Sequence, residues 1–287
     1  MKIVSDAGMD ISQQQLEGLE IEIVPLSIQL DGKSYKSGVD IGSAEFYEIL
    51  TRNGSLPTTS LPSAGEFAEV YRRLAREDSE ILSIHISSGL SGTYSAACKG
   101  AEQVPEAQVM LYDTLTLSVG QGWQVEAATR AAKAGWPVER IKTLLGRVRQ
   151  ATETVYTLPD LKYLIHGGRI GHIKGLMASM LNIKPLIGVS KQDGKYYQRG
   201  QQRTFQKALA HIVDVIARDH PQGTPLRAQV AHAENPQGVE RLQELVEKAF
   251  PCQWLPSTSI APVLGAHTGP GLVGIAYAAV ETYPQLP

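Results

Sequence analysis

Glu80-Ile-Leu-Ser-Ile-His-Ile-Ser-Ser-Gly-Leu-Ser-Gly-Thr-Tyr-Ser-Ala-Ala97 opens with an apolar, β-branched run, Ile81 to Ile86, which predicts a buried strand. Small and hydroxyl-bearing residues follow: Ser87, Ser88, Gly89, Ser91 and Gly92. Thr93 to Gly100 then reads as a helix. The order strand, hydroxyl- and glycine-rich turn, helix places hydroxyls and free N–H groups at a helix N-terminus, where the dipole favours an anion. The expected ligand is a carboxylate or phosphate. The alternative is capping duty for Ser88 or Ser91.

Strands and helices alternate on both sides of this stretch. Lys2 to Ser5 and Gln108 to Tyr112 read as apolar strands ending at Asp6 and Asp113. Ile21 to Leu30 reads as a further strand, followed by an Asp31-Gly32 turn. Helices are predicted from about Ser12 to Leu19, from Ser43 to Leu50 with a stop at Asn53-Gly54, and from the capping box Ser63-Ala-Gly-Glu66 to about Glu77. Two more are predicted from Ser118 to about Ala134, and from Pro137 to about Arg149. Leu56 to Pro62 reads as a loop because of its prolines. The alternation predicts a mostly parallel sheet covered on both faces, with ligands at the carboxyl ends of the strands.

From Thr152 the pattern changes. Thr152 to Leu158 is strand-like, and Asp160 to His166 is a short helical turn. Ile183 to Ser190 and Lys195 to Gln198 read as a hairpin. A helix (about Thr204 to Arg218), a strand (Ala228 to His232), a helix (Pro236 to Phe250) and a last strand (Leu272 to Val280) complete a mixed sheet. The expected domains are 1–150 and 151–287.

Composition narrows the function. Of 287 residues, 43% are hydrophobic, enough for a large core, and 27 basic against 29 acidic residues leave a net charge of −2. No basic excess points to nucleic acid. Two widely spaced cysteines, Cys98 and Cys252, argue against a disulfide framework and for a reducing cytoplasm. The start, Met-Lys-Ile-Val-Ser-Asp, is charged too early for a signal peptide. Pro251 to Val280 carries no Asp, Glu, Lys or Arg. Its prolines and glycines nevertheless divide it into pieces too short for a membrane helix, so no membrane insertion is expected.

Three further segments carry candidate chemistry. Pro57-Thr-Thr-Ser-Leu-Pro-Ser63 holds hydroxyls between prolines, suited to an anion or simply to capping the next helix. Gly167-Gly-Arg-Ile-Gly171 lets backbone approach a ligand closely, and Arg169 could clamp a carboxylate or phosphate or make a surface ion pair. It lacks the P-loop spacing, and Gly120-x-Gly122 lacks the third glycine of a dinucleotide fingerprint. Gly265-Ala-His-Thr-Gly-Pro-Gly271 is expected to place His267 and Thr268 in a tight turn between strands, with His267 as a ligand contact. The remaining histidines show no metal spacing, so no metal site is expected.

In order along the chain, Val4-Ser5-Asp6, Thr59-Ser60-Leu61-Pro62-Ser63, Ser87-Ser88-Gly89-Leu90-Ser91-Gly92-Thr93-Tyr94 and Leu161-x-Tyr-Leu-x-x-Gly-Gly-Arg-Ile-Gly171 form one set. Ile183-Lys184-Pro185, Arg203-Thr204 and Ala266-His267-Thr268-Gly269-Pro270-Gly271 extend it. This set resembles the DegV family from end to end. The resemblance implies a two-domain α/β protein: a parallel α/β/α sheet domain followed by a mixed-sheet α/β domain, with the ligand between them. The implied ligand is one long-chain fatty acid, and the implied partner is a fatty-acid kinase subunit that phosphorylates the presented carboxylate. The chain would then be a carrier with no cofactor and no catalysis of its own. By motif position the resemblance assigns Thr59, Ser91 and His267 to the carboxylate, with Arg169 close by, Ser60 and Thr268 as neighbours, and Arg203 on the kinase-facing surface. Leu61 stands where the family has glutamine, and Asp6-Ala7-Gly8 where it has Asp-Ser-Thr, both expected to remove polar groups near the pocket mouth. Two other functions fit parts of the set. One is an esterase or thioesterase with Ser91 as nucleophile and His267 as base, although no Gly-x-Ser-x-Gly elbow and no third triad member are found. The other is a small-carbonyl binder like the substrate subunit of dihydroxyacetone kinases, with His267 attacking the carbonyl.

Overall fold

The computed structural model describes residues 1–173 and 183–287. The first half runs β1 (Lys2–Asp6), α1 (Gln13–Leu16), β2 (Glu22–Val24), β3 (Ser27–Leu30), β4 (Lys33–Lys36), α2 (Ser43–Asn53), β5 (Thr58–Ser60), α3 (Ala64–Ala75), β6 (Glu80–His85), α4 (Thr93–Ala101), β7 (Gln108–Asp113), α5 (Ser118–Lys133) and α6 (Val138–Ala151). The second runs β8 (Glu153–Thr157), α7 (Lys162–His166), a 3-10 turn (Arg169–His172), β9 (Lys184–Val189), β10 (Tyr196–Gln202), α8 (Phe205–Asp219), β11 (Leu226–His232), α9 (Pro236–Glu247), β12 (Cys252–Trp254), β13 (Thr258–Ser259), α10 (Pro262–Thr268) and β14 (Val273–Ala279).

The expected architecture is present. Strands β2-β1-β6-β7 form a wholly parallel sheet. A mixed sheet, β10-β9-β8-β14-β11-β12 with β13 beside β11, is built from the second half. The apolar run Ile81 to Ile86 is buried, as its β-branched composition demands. Ser12 and Ser63 make the reciprocal caps expected of them, and Gly54, at φ +65°, ends α2 in the left-handed conformation. Gly92 stands at the N-cap of α4, so Ser88 and Ser91 do not occupy that position.

Three expectations are corrected. Ile21 to Leu30 is not one strand: Pro25 lies between β2, in the parallel sheet, and β3, in a separate antiparallel sheet of order β4-β3-β5. Pro57 to Pro62 is not wholly loop. The prolines lie outside Thr58–Ser60, which pairs with β3 as β5. Gly265 to Thr268 is not a turn, because Pro262 starts a helix that absorbs these residues before Gly269 ends it. The uncharged segment from Pro251 is thus three strands and a short helix. Among the described residues, no helix is long and apolar enough to cross a membrane.

Helix α5 joins the two halves. It is buried on nearly every side, against β1 and α6 on one hand and β11 and β14 on the other. Its polar residues therefore need protein partners. Gln121 donates to Ser5 and Asp6, Trp123 to Gln229 at 2.6 Å, and Glu126 accepts from Gln15. One apolar core consequently runs from Ile3 through Trp123 to Ala278.

The opening strand is bonded internally as well. Tyr71, Ser83, His85 and Asp6 form a buried chain, with Oγ of Ser83 2.7 Å from Nε2 of His85 and Nδ1 of His85 2.9 Å from Asp6. Asp6 also accepts from the amides of Gly8 and Ile86. Its carboxylate ties β1 to β6 and is fully enclosed, not set at a pocket mouth.

Candidate ligand-binding site

Strand β5 carries Thr59 toward the C-terminal turn of α10. There Thr59 Oγ1 lies 2.8 Å from Nε2 of His267. The other ring nitrogen, Nδ1, is buried without a partner among the described residues. Gly167 is why it has space: a Cβ there would stand 2.0 Å from Nδ1. Burial, with the Arg169 guanidinium and His166 adding to it, pushes the His267 imidazole down to about 4. The ring is therefore neutral at pH 7, with one donor and one acceptor nitrogen. A buried polar atom left alone is costly, so its retention beside an arginine points to a ligand that completes it.

Arg169 is oriented by a 2.7 Å bond from Nη1 to the Gly167 carbonyl. Its charge also acts on Tyr196, whose hydroxyl burial pushes up to about 12. Thr59, Arg169 and His267 thus meet at one point. Ser91 lies in a turn that the Leu61 side chain reaches, within 2.9 Å of a Cβ position on Gly92, and no hydrogen bond among the described residues joins Ser91 to Thr59, Arg169 or His267. The Ser91 hydroxyl sits 2.8 Å from that of Thr93 and accepts from the Thr93 amide. Ser60 is exposed and follows Thr59 on the pleat, so it takes the opposite direction. Arg203 is exposed, beyond β10, and no hydrogen bond or ion pair among the described residues joins it to the cluster.

Much of the expected anion turn is used for architecture. Ser87 Oγ donates to the Gly194 carbonyl at 2.8 Å, and Asp113 accepts from the amides of Ser88 and Leu115. This turn therefore docks the β9–β10 hairpin of the second half onto the first.

Thr268, next to His267, lines a cavity of about 30 Å³ between the halves. Leu117 closes it from α5's side, and Tyr156, Leu164, Ile187, Tyr196 and Leu264 from the other. The walls are almost wholly apolar. The cavity thus begins one residue beyond His267, at Thr268.

Sequence reasoning missed Asp10. This residue is 3% exposed, accepts from Ser118 Oγ at 2.5 Å and from the Ala261 amide at 2.7 Å, just before α10. Ser37, Ser43 and Tyr47 hold the same entry to α10 through Val263 N and the Ile260 carbonyl. Nothing local marks Asp10, because its partners are 108 and 251 positions away. Burial raises its carboxyl to about 7 from an ordinary 3.8. The folded state thus holds this proton more tightly than the unfolded one, so stability is full below pH ~4 and falls as pH rises through 7. Relative to Asp10→Asn, the wild type is expected to lose up to about 4 kcal/mol between pH 4 and pH 8. Paired urea titrations across that range check this; parallel curves refute it.

Residues 1–280 match the family described as "Uncharacterised protein, DegV family". The chain belongs to the DegV family. A DegV domain-containing protein of Deinococcus radiodurans is 32% identical over 276 residues, 96% of this chain and 94% of that one. Among solved structures, a DegV family protein of Thermus thermophilus, described for its fatty-acid binding, has a TM-score of 0.87 at 30% identity, covering 97% of this chain and 99% of that chain. DegV of Bacillus subtilis, described as a fatty acid binding protein, gives 0.86 at 28% identity, covering 97% and 98%. The mixed and parallel sheets are thus the DegV architecture.

Proposed function

We propose that this DegV protein binds one long-chain fatty acid, with its carboxylate at Thr59, Ser91 and His267 beside Arg169 and its tail in a tunnel between the halves. The observation that carries the reading is the adjacency in the chain of His267, whose Nδ1 is buried with no partner among the described residues, and Thr268, which lines an apolar cavity. The relatives described as fatty-acid-binding support it. Hydroxyls, a neutral imidazole and a guanidinium together offset the desolvation of a carboxylate. Burying a tail of about 16 carbons contributes on the order of 10 kcal/mol before association costs, at about 0.8 kcal/mol per CH₂.

A cavity of about 30 Å³ is far below the several hundred Å³ of ordinary ligand sites, so the tail enters by opening the seam between the halves. In this reading the halves are domains 1–150 and 151–287, meeting where α6 ends at Ala151 and β8 begins at Glu153. The protein is a cytoplasmic carrier. It presents the carboxylate to a fatty-acid kinase subunit, with Ser60 and Thr268 flanking the head group and exposed Arg203 on the contact surface. The hydrolase alternative needs Ser91 against His267, whereas Ser91 is engaged with Thr93 and His267 with Thr59.

Native mass spectrometry followed by organic extraction tests the reading. One fatty acid per chain is expected, with occupancy cut at least tenfold, about 1.4 kcal/mol, by Thr59→Ala or His267→Ala. A protein that arrives empty and takes up no added fatty acid overturns it.

A further inference from the structure

Helix α10 is placed from outside itself. It has 7 residues, too few to hold a helix on propensity alone. Its N-cap is Ala261, whose methyl accepts no hydrogen bond, and Pro262 follows. The first half supplies the missing acceptors. Asp10 Oδ1, beyond β1, accepts from the Ala261 amide at 2.7 Å, and Ser37 Oγ, beyond β4, accepts from the Val263 amide at 3.2 Å. Ser43 and Tyr47 of α2 donate to the Ile260 carbonyl at 3.1 and 3.2 Å. Gly265 lets the helix lie directly on α2, because the Tyr47 hydroxyl occupies the place of a Cβ there. The far end of the helix delivers His267 to Thr59, again in the first half. A helix that belongs to the second half by sequence is thus fastened to the first half at both ends.

Asp10 is the one carboxyl among these ties. Its other oxygen, Oδ2, accepts from Ser118 Oγ at 2.5 Å, at the first residue of α5. One side chain therefore sets α10 against α5, the helix that joins the halves. Asp10, Ser37 and Tyr47 are all buried, so water does not replace a bond lost there. His267 follows Ala261 by about 9 Å of helix, at 1.5 Å per residue. Over that lever a tilt of roughly 10° at the entry moves the imidazole by about 1.5 Å, beyond the ~0.5 Å within which a binding group keeps its geometry.

We propose, on the fatty-acid reading above, that Asp10 is a positioning residue for the head group: by fixing the entry to α10 it holds His267 in register with Thr59, and so sets how strongly this chain prefers a carboxylate to a neutral head group. Its effect is on selectivity at the head group and not on the tail, since His267 is the group that moves.

Displacement of a fluorescent fatty acid from the full chain by tetradecanoic acid and by 1-tetradecanol tests this. The wild type should prefer the acid. Asp10→Ala should weaken the acid about tenfold and the alcohol under about twofold, because the alcohol uses the tail site without the oriented imidazole. Asp10→Asn keeps an acceptor for the Ala261 amide and a polar partner for Ser118, so it should return acid affinity to within about threefold of wild type. Ser118→Ala removes the other bond of Asp10 and leaves the tie to Ala261, so it should shift both ligands alike. If Asp10→Ala does not fold, Ser37→Ala carries the test: it frees the Val263 amide at the same end of α10 and should weaken the acid selectively, by about threefold. Equal weakening of acid and alcohol by the variant that carries the test, or no rescue by Asp10→Asn, overturns the proposal and leaves the fatty-acid reading standing. A wild type that binds neither ligand, or both equally, overturns that reading and the proposal with it.

Discussion

Gly167→Ala is expected to weaken the proposed fatty-acid binding while the rest of the fold persists. The new methyl would stand 2.0 Å from Nδ1 and 2.8 Å from Cε1 of His267. No rotation of a methyl relieves such overlap. The imidazole has to swing away, which breaks its 2.8 Å contact with Thr59 and removes it from the head-group site. A lost hydrogen bond to a charged group costs about 1.5–3 kcal/mol, so affinity for a long-chain acid should fall roughly 10- to 100-fold. Gly171→Ala is the control. It lies in the adjoining 3-10 turn, with nothing among the described residues within 4 Å of its Cβ position. Competition binding with a fluorescent fatty acid should separate the two variants, with Gly171→Ala close to wild type. Equal affinities would show that His267 does not orient the carboxylate.

Gly194→Ala is expected to weaken the contact between the halves by about 3 kcal/mol or more. Two effects add. Gly194 has φ +65°, where a side chain costs about 1–2 kcal/mol. Its Cβ would also lie 1.9 Å from Ser87 Oγ and 3.2 Å from the backbone of Leu115. The hydrogen bond from Ser87 to the Gly194 carbonyl is then lost, leaving the buried hydroxyl with an unpaired donor and only the Gly89 amide still bonded to its oxygen. Gly32→Ala separates the terms, since Gly32 has φ +76° with nothing within 4 Å. It should show only the conformational cost. Urea unfolding of the two variants checks this, and equal losses would remove the packing argument.

The alternation of elements was readable because each rests on near neighbours. The run Ile81 to Ile86 buries itself through β-branched side chains. Ser63 and Glu66 close their capping box within four residues, and Asn53-Gly54 ends a helix through a left-handed glycine. The ordered motif set also marked the stretches carrying Thr59, Arg169 and His267 before their contacts were known. What it could not supply is which hydroxyls stay available. Ser87 looks like its neighbour Ser91, yet it is committed to a carbonyl 107 positions on. Leu61 packs toward Gly92, and Asp6 is enclosed between two strands.

Sequence alone therefore determined the α/β plan, which depends on periodicity and turn chemistry over a few residues, and the family, through the resemblance of its ordered motifs. Only the tertiary structure decided that α10 is a helix presenting His267 to Thr59, that Asp10 holds its entry, and that an apolar cavity begins at Thr268. Each of these depends on side chains brought together from more than a hundred residues apart, and burial then sets their charge and leaves a nitrogen of His267 without a partner.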